Sequence, residues 1–183
     1  MKEVLSYLLS IGGAGIVAYA VSVAMAVNCD YPSARFRIIN SLRTQPWQAE
    51  VMTKTKPGSF FDGIHSAMKI GGSMGLRDPE MIAMGTRPAY DSVAVFVTLK
   101  WKSILGKLKM GAVGLVGGAT MAIGVHTNPA LHIILLVGGI GAGIWIFVTK
   151  NDCERYVMLA RLEILPEVDR SIAEGRYGKP PVV

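Results

Sequence analysis

Charged residues are scarce in this sequence, and they are absent from three long stretches. Only 17% of the 183 residues are Asp, Glu, Lys or Arg, below the ~25% typical of soluble domains. Residues 4–27, 110–125 and 130–148 contain none of them. As helices, these stretches would be roughly 36, 24 and 28 Å long, comparable with the ~30 Å hydrocarbon core of a bilayer. The pattern argues against an ordinary soluble domain and predicts an integral membrane protein.

The sequence also lacks the motifs of common enzymes and cofactor sites. It contains no Cys/His cluster at metal-ligand spacing, no P-loop and no nucleophile elbow. Glycines 139, 141 and 143 lie inside an apolar stretch, where the strand and acidic residue of a dinucleotide-binding motif are missing. Basic residues do not interleave with aromatic residues on a recognisable nucleic-acid module. We therefore expect no enzymatic activity, no metal, no cofactor and no nucleic-acid partner.

Basic residues flank the apolar stretches mainly on one side. They follow the first stretch, precede the second and follow the third, whereas the opposite ends carry only Lys2 before the first stretch and His126 between the second and the third. Because positively charged flanks remain in the cytoplasm, the N-terminus is predicted outside, residues 28–109 inside, residues 126–129 as an external turn, and the C-terminus inside. The net charge of +6 would also attract anionic lipids. Cys29 and Cys153 fall at cytoplasmic ends in this topology, which predicts free thiols.

The first stretch has two interpretations. Residues 24–26 resemble a signal-peptide cleavage site, and Lys2 provides a positive charge before the apolar run. However, Glu3 cancels that charge, and the run is longer than the 7–15 residues usual for a signal peptide. The sequence therefore favours a retained first span.

The predicted fold is all-α, with three transmembrane helices and a helical cytoplasmic part, because no stretch alternates like a strand. We assign residues 4–27, 110–126 and 130–149 to the spans, and residues 28–109 and 150–183 to the cytoplasm. Shorter helices are expected over residues 32–42, after an N-cap at Ser59, and from residues 78–80. A long helix is predicted from Pro88 through the second span, and another from the third span to Pro166.

Small residues recur at helix-packing intervals in the spans. Gly114 and Gly118 are four residues apart, as are Gly139 and Gly143, and such spacing lets helices approach closely in lipid. The pattern favours assembly within and between subunits, although transmembrane helices are glycine-rich in general. Thr120 is the one hydroxyl-bearing residue in the middle of the second span; it either bonds its own helix or lines a pore.

Two histidines flank the predicted external turn. His126 lies in the turn, and His132 lies about one turn into the third span. An ionisable side chain inside a span is a functional candidate, here for proton relay or subunit contact. The plainer interpretation, which we favour, places both histidines at the membrane interface. No span contains Asp or Glu, so an ion-binding carboxylate would have to come from a partner.

The order of these segments resembles the MotA/TolQ/ExbB stator and energy-transducer superfamily. Gly114-Leu115-Val116-Gly117 is similar to the G-L-L-G that begins the second span of that family, where Gly118 replaces the threonine that usually follows. The resemblance implies a homo-oligomeric subunit of the bacterial inner membrane, which surrounds or docks a partner and supports proton-driven energy transduction. The pore or packing candidates would be Gly114, Gly117, Gly118, Thr120, Gly139 and Gly143. The alternative is a non-conducting scaffold subunit of a secretion, motility or organelle complex.

Overall fold

A computed structural model describes residues 1–56, 58–125 and 128–177. Seven α-helices account for most of this part of the chain, and no strand occurs among the residues it describes. The helices are α1 (Lys2–Val27), α2 (Tyr31–Thr44), α3 (Pro46–Thr53), α4 (Phe60–Ser73), α5 (Pro79–Gly124), α6 (Ala130–Glu163) and α7 (Leu165–Ala173). The all-α prediction is thus confirmed.

Contacts divide the chain into two compact units. Met1–Ala26 and Lys100–Asn151 form the first, here called the glycine-rich unit. Val27–Leu99 and Asp152–Val183 form the second, here called the charged unit. Both divisions along α5 and α6 fall within a helix, so each long helix contributes one part to each unit.

Two helical segments are long and apolar enough to cross a membrane. One lies within Lys2–Thr44 and the other within Ala130–Ala173. Only 28% and 11% of the residues in their most apolar windows are buried. The predicted second span does not qualify by length and composition. The charge-free part of α5 covers only residues 110–124, which is shorter than the ~20 residues that a span requires.

Local signals in the sequence set several helix ends correctly. Ser59 caps α4, and its hydroxyl oxygen accepts a hydrogen bond from Phe61 N at 3.3 Å. Asp78 Oδ1 accepts a bond from Glu80 N at 3.1 Å at the start of α5. Pro166 lies in the first turn of α7 and separates it from α6, as predicted.

The predicted start of the longest helix is wrong. We expected a boundary just before Pro88, but α5 begins at Pro79 and continues through Pro88. Proline removes one backbone hydrogen bond there, so other contacts have to hold the helix in place. Thr86 Oγ1 donates to Asp169 Oδ1 at 2.6 Å, and Tyr90 OH donates to the Val157 carbonyl at 2.7 Å. These anchors lie on both sides of Pro88, and local sequence does not reveal them.

The charged unit has a conventional hydrophobic core. Its helices α2, α3, α4 and α7 pack together around buried aliphatic and aromatic side chains. Tyr31 stacks on Tyr156, with ring centroids 5.2 Å apart, and meets Phe60 edge-on. Such burial of apolar area is the main force that stabilises a packed unit. Helix α3, which the sequence did not predict, completes this core by burying Ala49.

Candidate functional site

Helices α1 and α5 approach one another closely in the glycine-rich unit. A Cβ atom built on Gly13 of α1 would lie 2.7 Å from the Gly111 carbonyl oxygen of α5. One built on Gly114 would lie 3.0 Å from Gly13 Cα. One built on Gly118 would overlap the Ser10 hydroxyl and lie 2.8 Å from both Ser10 N and Ser6 O. Only glycine allows this backbone separation, so the contact depends on the small residues of both helices.

The other glycine candidates make looser contacts. Gly139 of α6 faces the Leu115 side chain, whose flexible end a Cβ would displace. A Cβ on Gly143 would meet Leu108 Cδ2 at 3.8 Å, and one on Gly117 would meet Leu9 Cδ1 at 4.0 Å, both ordinary contact distances. Gly114 and Gly118 therefore lie in the tight α1–α5 contact, whereas Gly117 and Gly143 lie at its edge or outside it.

A buried polar cluster lies between α1 and α6. His132 is only 1% exposed, and its Nδ1 is 2.7 Å from Ser10 Oγ. Its Nε2 is 3.5 Å from Ser6 Oγ, and the ring of Tyr7 lies 4.9 Å from the imidazole, centroid to centroid. Ser6 and Ser10 are themselves fully buried. Hydrogen bonding to hydroxyl groups lets an imidazole remain inside an otherwise apolar unit.

Sequence reasoning overlooked the two serines of this cluster. Ser6 and Ser10 are four residues apart, so they share one face of α1. Two hydroxyls on one face of an apolar helix were the available signal. What the sequence did not provide was the pairing of that face with His132, because the two segments are separated by more than 120 residues.

The remaining candidates are placed as follows. Thr120 is exposed, and its Oγ1 donates to the carbonyl oxygens of Val116 and Gly117 within α5, each at 3.0 Å. It therefore lies on the surface of the subunit. His126 lies outside the described residues. In the described part of the chain, no group of three or more His, Cys, Asp or Glu side chains is arranged to hold a metal ion.

Among the described residues of the charged unit, one carboxyl side chain is buried. Asp169 is 7% exposed, and its partner Thr86 is fully buried. Burial raises the pKa of Asp169 above its usual value, and the hydrogen bond from Thr86 and the nearby Arg87 only partly oppose this shift. This group anchors α7 on α5. The hydrogen bond from Thr86 offsets part of the cost of its burial.

Comparisons with known proteins add no relative. No family model, no curated protein and no solved structure matches this chain.

Proposed function

We propose that this protein is a membrane-embedded subunit with three spans, which assembles with copies of itself. The observation that carries the proposal is the apolar surface of the glycine-rich unit. Large apolar side chains such as Ile134 and Ile144 point outward and are 67% and 63% exposed. The buried Ser6, Ser10 and His132 lie in an interior that also contains apolar side chains. An exposed apolar surface of this kind suits a lipid environment, because water would penalise it.

The apolar part of α5 is the proposed third span, although it is short. Val113 and Ile123 are 74% and 70% exposed on its surface, so this segment has the same outward apolar character. Just before it, Lys107 Nζ lies 4.6 Å from the centroid of the Tyr19 ring of α1. Lysine and tyrosine side chains of this kind anchor helices at the headgroup level, and Lys107 can extend its ammonium to water. A span that begins near Lys107 would be longer than the charge-free part of α5, which covers residues 110–124.

Contacts between subunits are proposed to use glycines that pack against no other helix within the subunit. Gly12 and Gly15 of α1, and Gly138 and Gly141 of α6, have no atom within 4 Å of the position of a Cβ. In lipid, helices associate by close packing, and small outward-facing residues permit it. Open glycines on two helices favour contacts between subunits in addition to the glycine contact within the subunit.

The more specific form of the proposal is a stator-like role. The order of segments supports it, with long helices α5 and α6 that continue from the apolar segments into the charged unit. Thr120 lies on the surface of α5, so it would line a pore only where subunits surround a partner. A protonatable carboxylate would come from that partner, which we expect to be another membrane protein. The bacterial inner membrane is the proposed location.

A non-conducting scaffold is the second candidate. Two observations favour it: the Thr120 hydroxyl already donates to its own helix, and His132 is enclosed by serines. In a single subunit, both groups are thus engaged in hydrogen bonds within the protein. A scaffold would use the same spans and the same glycine contacts, without any flux.

Membrane insertion and orientation can be tested by cysteine labelling in intact cells. Asn128 is exposed beside the predicted external turn, and Lys69 is exposed in the charged unit. In a Cys29→Ser/Cys153→Ser background, a membrane-impermeant maleimide should label Asn128→Cys directly and Lys69→Cys only after the membrane is opened. Equal labelling of both positions, or release of the protein from membranes by alkaline carbonate, would contradict the proposal.

Proton flux separates the stator role from the scaffold. The assembly, purified from its own membranes together with anything bound to it, would be reconstituted in vesicles that contain a pH-sensitive dye. The stator role predicts a lower flux for Thr120→Ala. Thr98→Ala is the matched control, because Thr98 is an exposed threonine of α5 that bonds the Ala94 carbonyl in the same way. Wild-type vesicles without measurable flux would leave the scaffold as the function.

A further inference from the structure

A cavity of mixed polarity lies beside the start of α2, within the charged unit. Its volume is about 470 Å³, within the range of small-ligand sites. Apolar side chains, including Ile38, Met52 and Phe61, form one part of its wall. Its polar lining consists of Asp30, Ser33, Arg37, Thr55 and Lys56.

The two basic residues of this cavity have hydrogen-bond donors to spare. Lys56 Nζ donates to the Asn28 carbonyl oxygen at 2.7 Å, which uses one of its three hydrogens. Neither Lys56 nor Arg37 forms an ion pair with a carboxylate in the part of the chain that the structure describes. Two cations in one cavity favour an anionic group, and phosphate oxygens are the acceptors that arginine and lysine commonly bind.

The remaining polar groups act as acceptors. Ser33 Oγ donates to Asp30 Oδ2 at 2.5 Å, and Thr55 Oγ1 donates to the Met52 carbonyl at 2.7 Å. Both hydroxyl hydrogens are therefore used, which leaves hydroxyl lone pairs and the Asp30 carboxylate. Burial raises the pKa of the adjacent Cys29 thiol to about 11, so that group stays neutral. Such acceptors suit a primary ammonium group, which has three N–H donors.

We propose that this cavity binds a phosphodiester that bears a primary ammonium group, as in a phosphoethanolamine headgroup. Arg37 and Lys56 would hold the phosphate, and Asp30 with the two hydroxyl oxygens would hold the ammonium. Asp30 follows the last residue of α1 by only three positions, so a membrane lipid is the nearest source of this chemistry. The inference rests on the proposed membrane insertion of α1.

The test is native mass spectrometry of the full-length protein in detergent. Phosphatidylethanolamine, phosphatidylcholine and phosphatidylglycerol of identical acyl chains would be added separately, and bound lipid counted per subunit. The ethanolamine lipid should bind most tightly. Loss of a charge-assisted hydrogen bond costs about tenfold in affinity, so Arg37→Gln and Lys56→Gln should each weaken binding of this lipid by about that factor.

Matched variants separate the two halves of the ligand. Asp30→Asn should remove the preference for ethanolamine over choline, and Asp30 makes no capping hydrogen bond to α2 that the change would disturb. Lys69→Gln, an exposed lysine of α4 outside the cavity, should leave binding unchanged. Equal binding of the three lipids, or binding that Arg37→Gln and Lys56→Gln do not alter, would overturn the proposal.

Two further measurements identify the source of the ligand and distinguish failure of this site from failure of the proposed function. Soluble glycerophosphoethanolamine that binds as tightly as the lipid would assign the site to a free phosphodiester, whereas weaker binding would assign it to the membrane. The same spectra report the subunit stoichiometry. Lost lipid selectivity in an intact membrane oligomer counts against this site alone, and extraction of the protein by carbonate counts against the proposed function.

Discussion

Replacing Gly118 with alanine tests the glycine contact between α1 and α5. A Cβ at this position would lie 2.8 Å from Ser10 N and Ser6 O, whereas ordinary contacts begin near 3.4 Å. Both atoms belong to the backbone, so α1 as a whole would have to move by about 0.6 Å. Overpacking of this kind costs about 1–3 kcal/mol. The higher helix propensity of alanine stabilises α5 by about 1 kcal/mol relative to glycine, which offsets part of this cost.

Gly117 provides the matched control on the next residue of the same helix. A Cβ there would be 4.0 Å from Leu9 Cδ1, so Gly117→Ala adds the helix propensity without the clash. The two variants differ in the helix contact, which for Gly118→Ala includes displacement of the Ser10 hydroxyl. We expect Gly118→Ala to be about 1–3 kcal/mol less stable than Gly117→Ala. For a chain of this length, that difference corresponds to a gap of roughly 2–12 °C between the melting temperatures.

The assay is thermal unfolding of the full-length variants in one detergent, followed by helical circular dichroism. The wild type should melt between the two variants or close to Gly117→Ala. If Gly118→Ala melts at or above Gly117→Ala, then α1 does not pack on α5 as described. The arrangement of the glycine-rich unit would then have to be revised.

Three further predictions concern buried polar groups. Ser10→Ala should destabilise the protein by about 1–3 kcal/mol, because it leaves a buried imidazole nitrogen without its 2.7 Å partner; Ser6→Ala should cost less, since its contact is 3.5 Å. Folding raises the pKa of Asp169, so its charged form destabilises the fold above that pKa. Relative to the wild type, Asp169→Asn should therefore gain stability as pH rises from the usual Asp pKa of 3.8 through the raised pKa of the folded state. Asp169→Ala should lose stability at every pH, because it strands the Thr86 hydroxyl. Melts over this pH range check both, and a pH-independent difference for Asp169→Asn would refute the assignment. The Cys29 thiol, with a pKa of about 11 and little exposure, should resist iodoacetamide at pH 7.5 until denaturant is added, and rapid alkylation of the native protein would contradict its burial.

Local signals in the sequence predicted helix type and several helix ends. The Ser59 cap, the start at Asp78 and the break at Pro166 depend on residues within one or two turns, so they can be read without tertiary information. The continuation of α5 through Pro88 cannot, because it depends on anchors from Asp169 and Val157 that are distant in sequence. Local rules penalise proline inside a helix, and only the folded unit compensates for it.

The candidate site was likewise predicted only in part from the sequence. Glycine spacing pointed to Gly114 and Gly118, which the structure places in the tight contact with α1. Spacing alone did not distinguish them from Gly117 and Gly143, which pack loosely. The environment of His132 was also beyond the sequence, because its partners come from the opposite end of the chain. Periodicity reveals which residues share a face, whereas the identity of the facing helix emerges only on folding.

The central claim is that this chain forms a homo-oligomer in the membrane. The most direct test is the mass of the full-length protein in lipid nanodiscs, after subtraction of scaffold and lipid. The proposal predicts one mass at an integral multiple of the 19.6 kDa subunit, greater than one. A strict monomer at every protein concentration would contradict it.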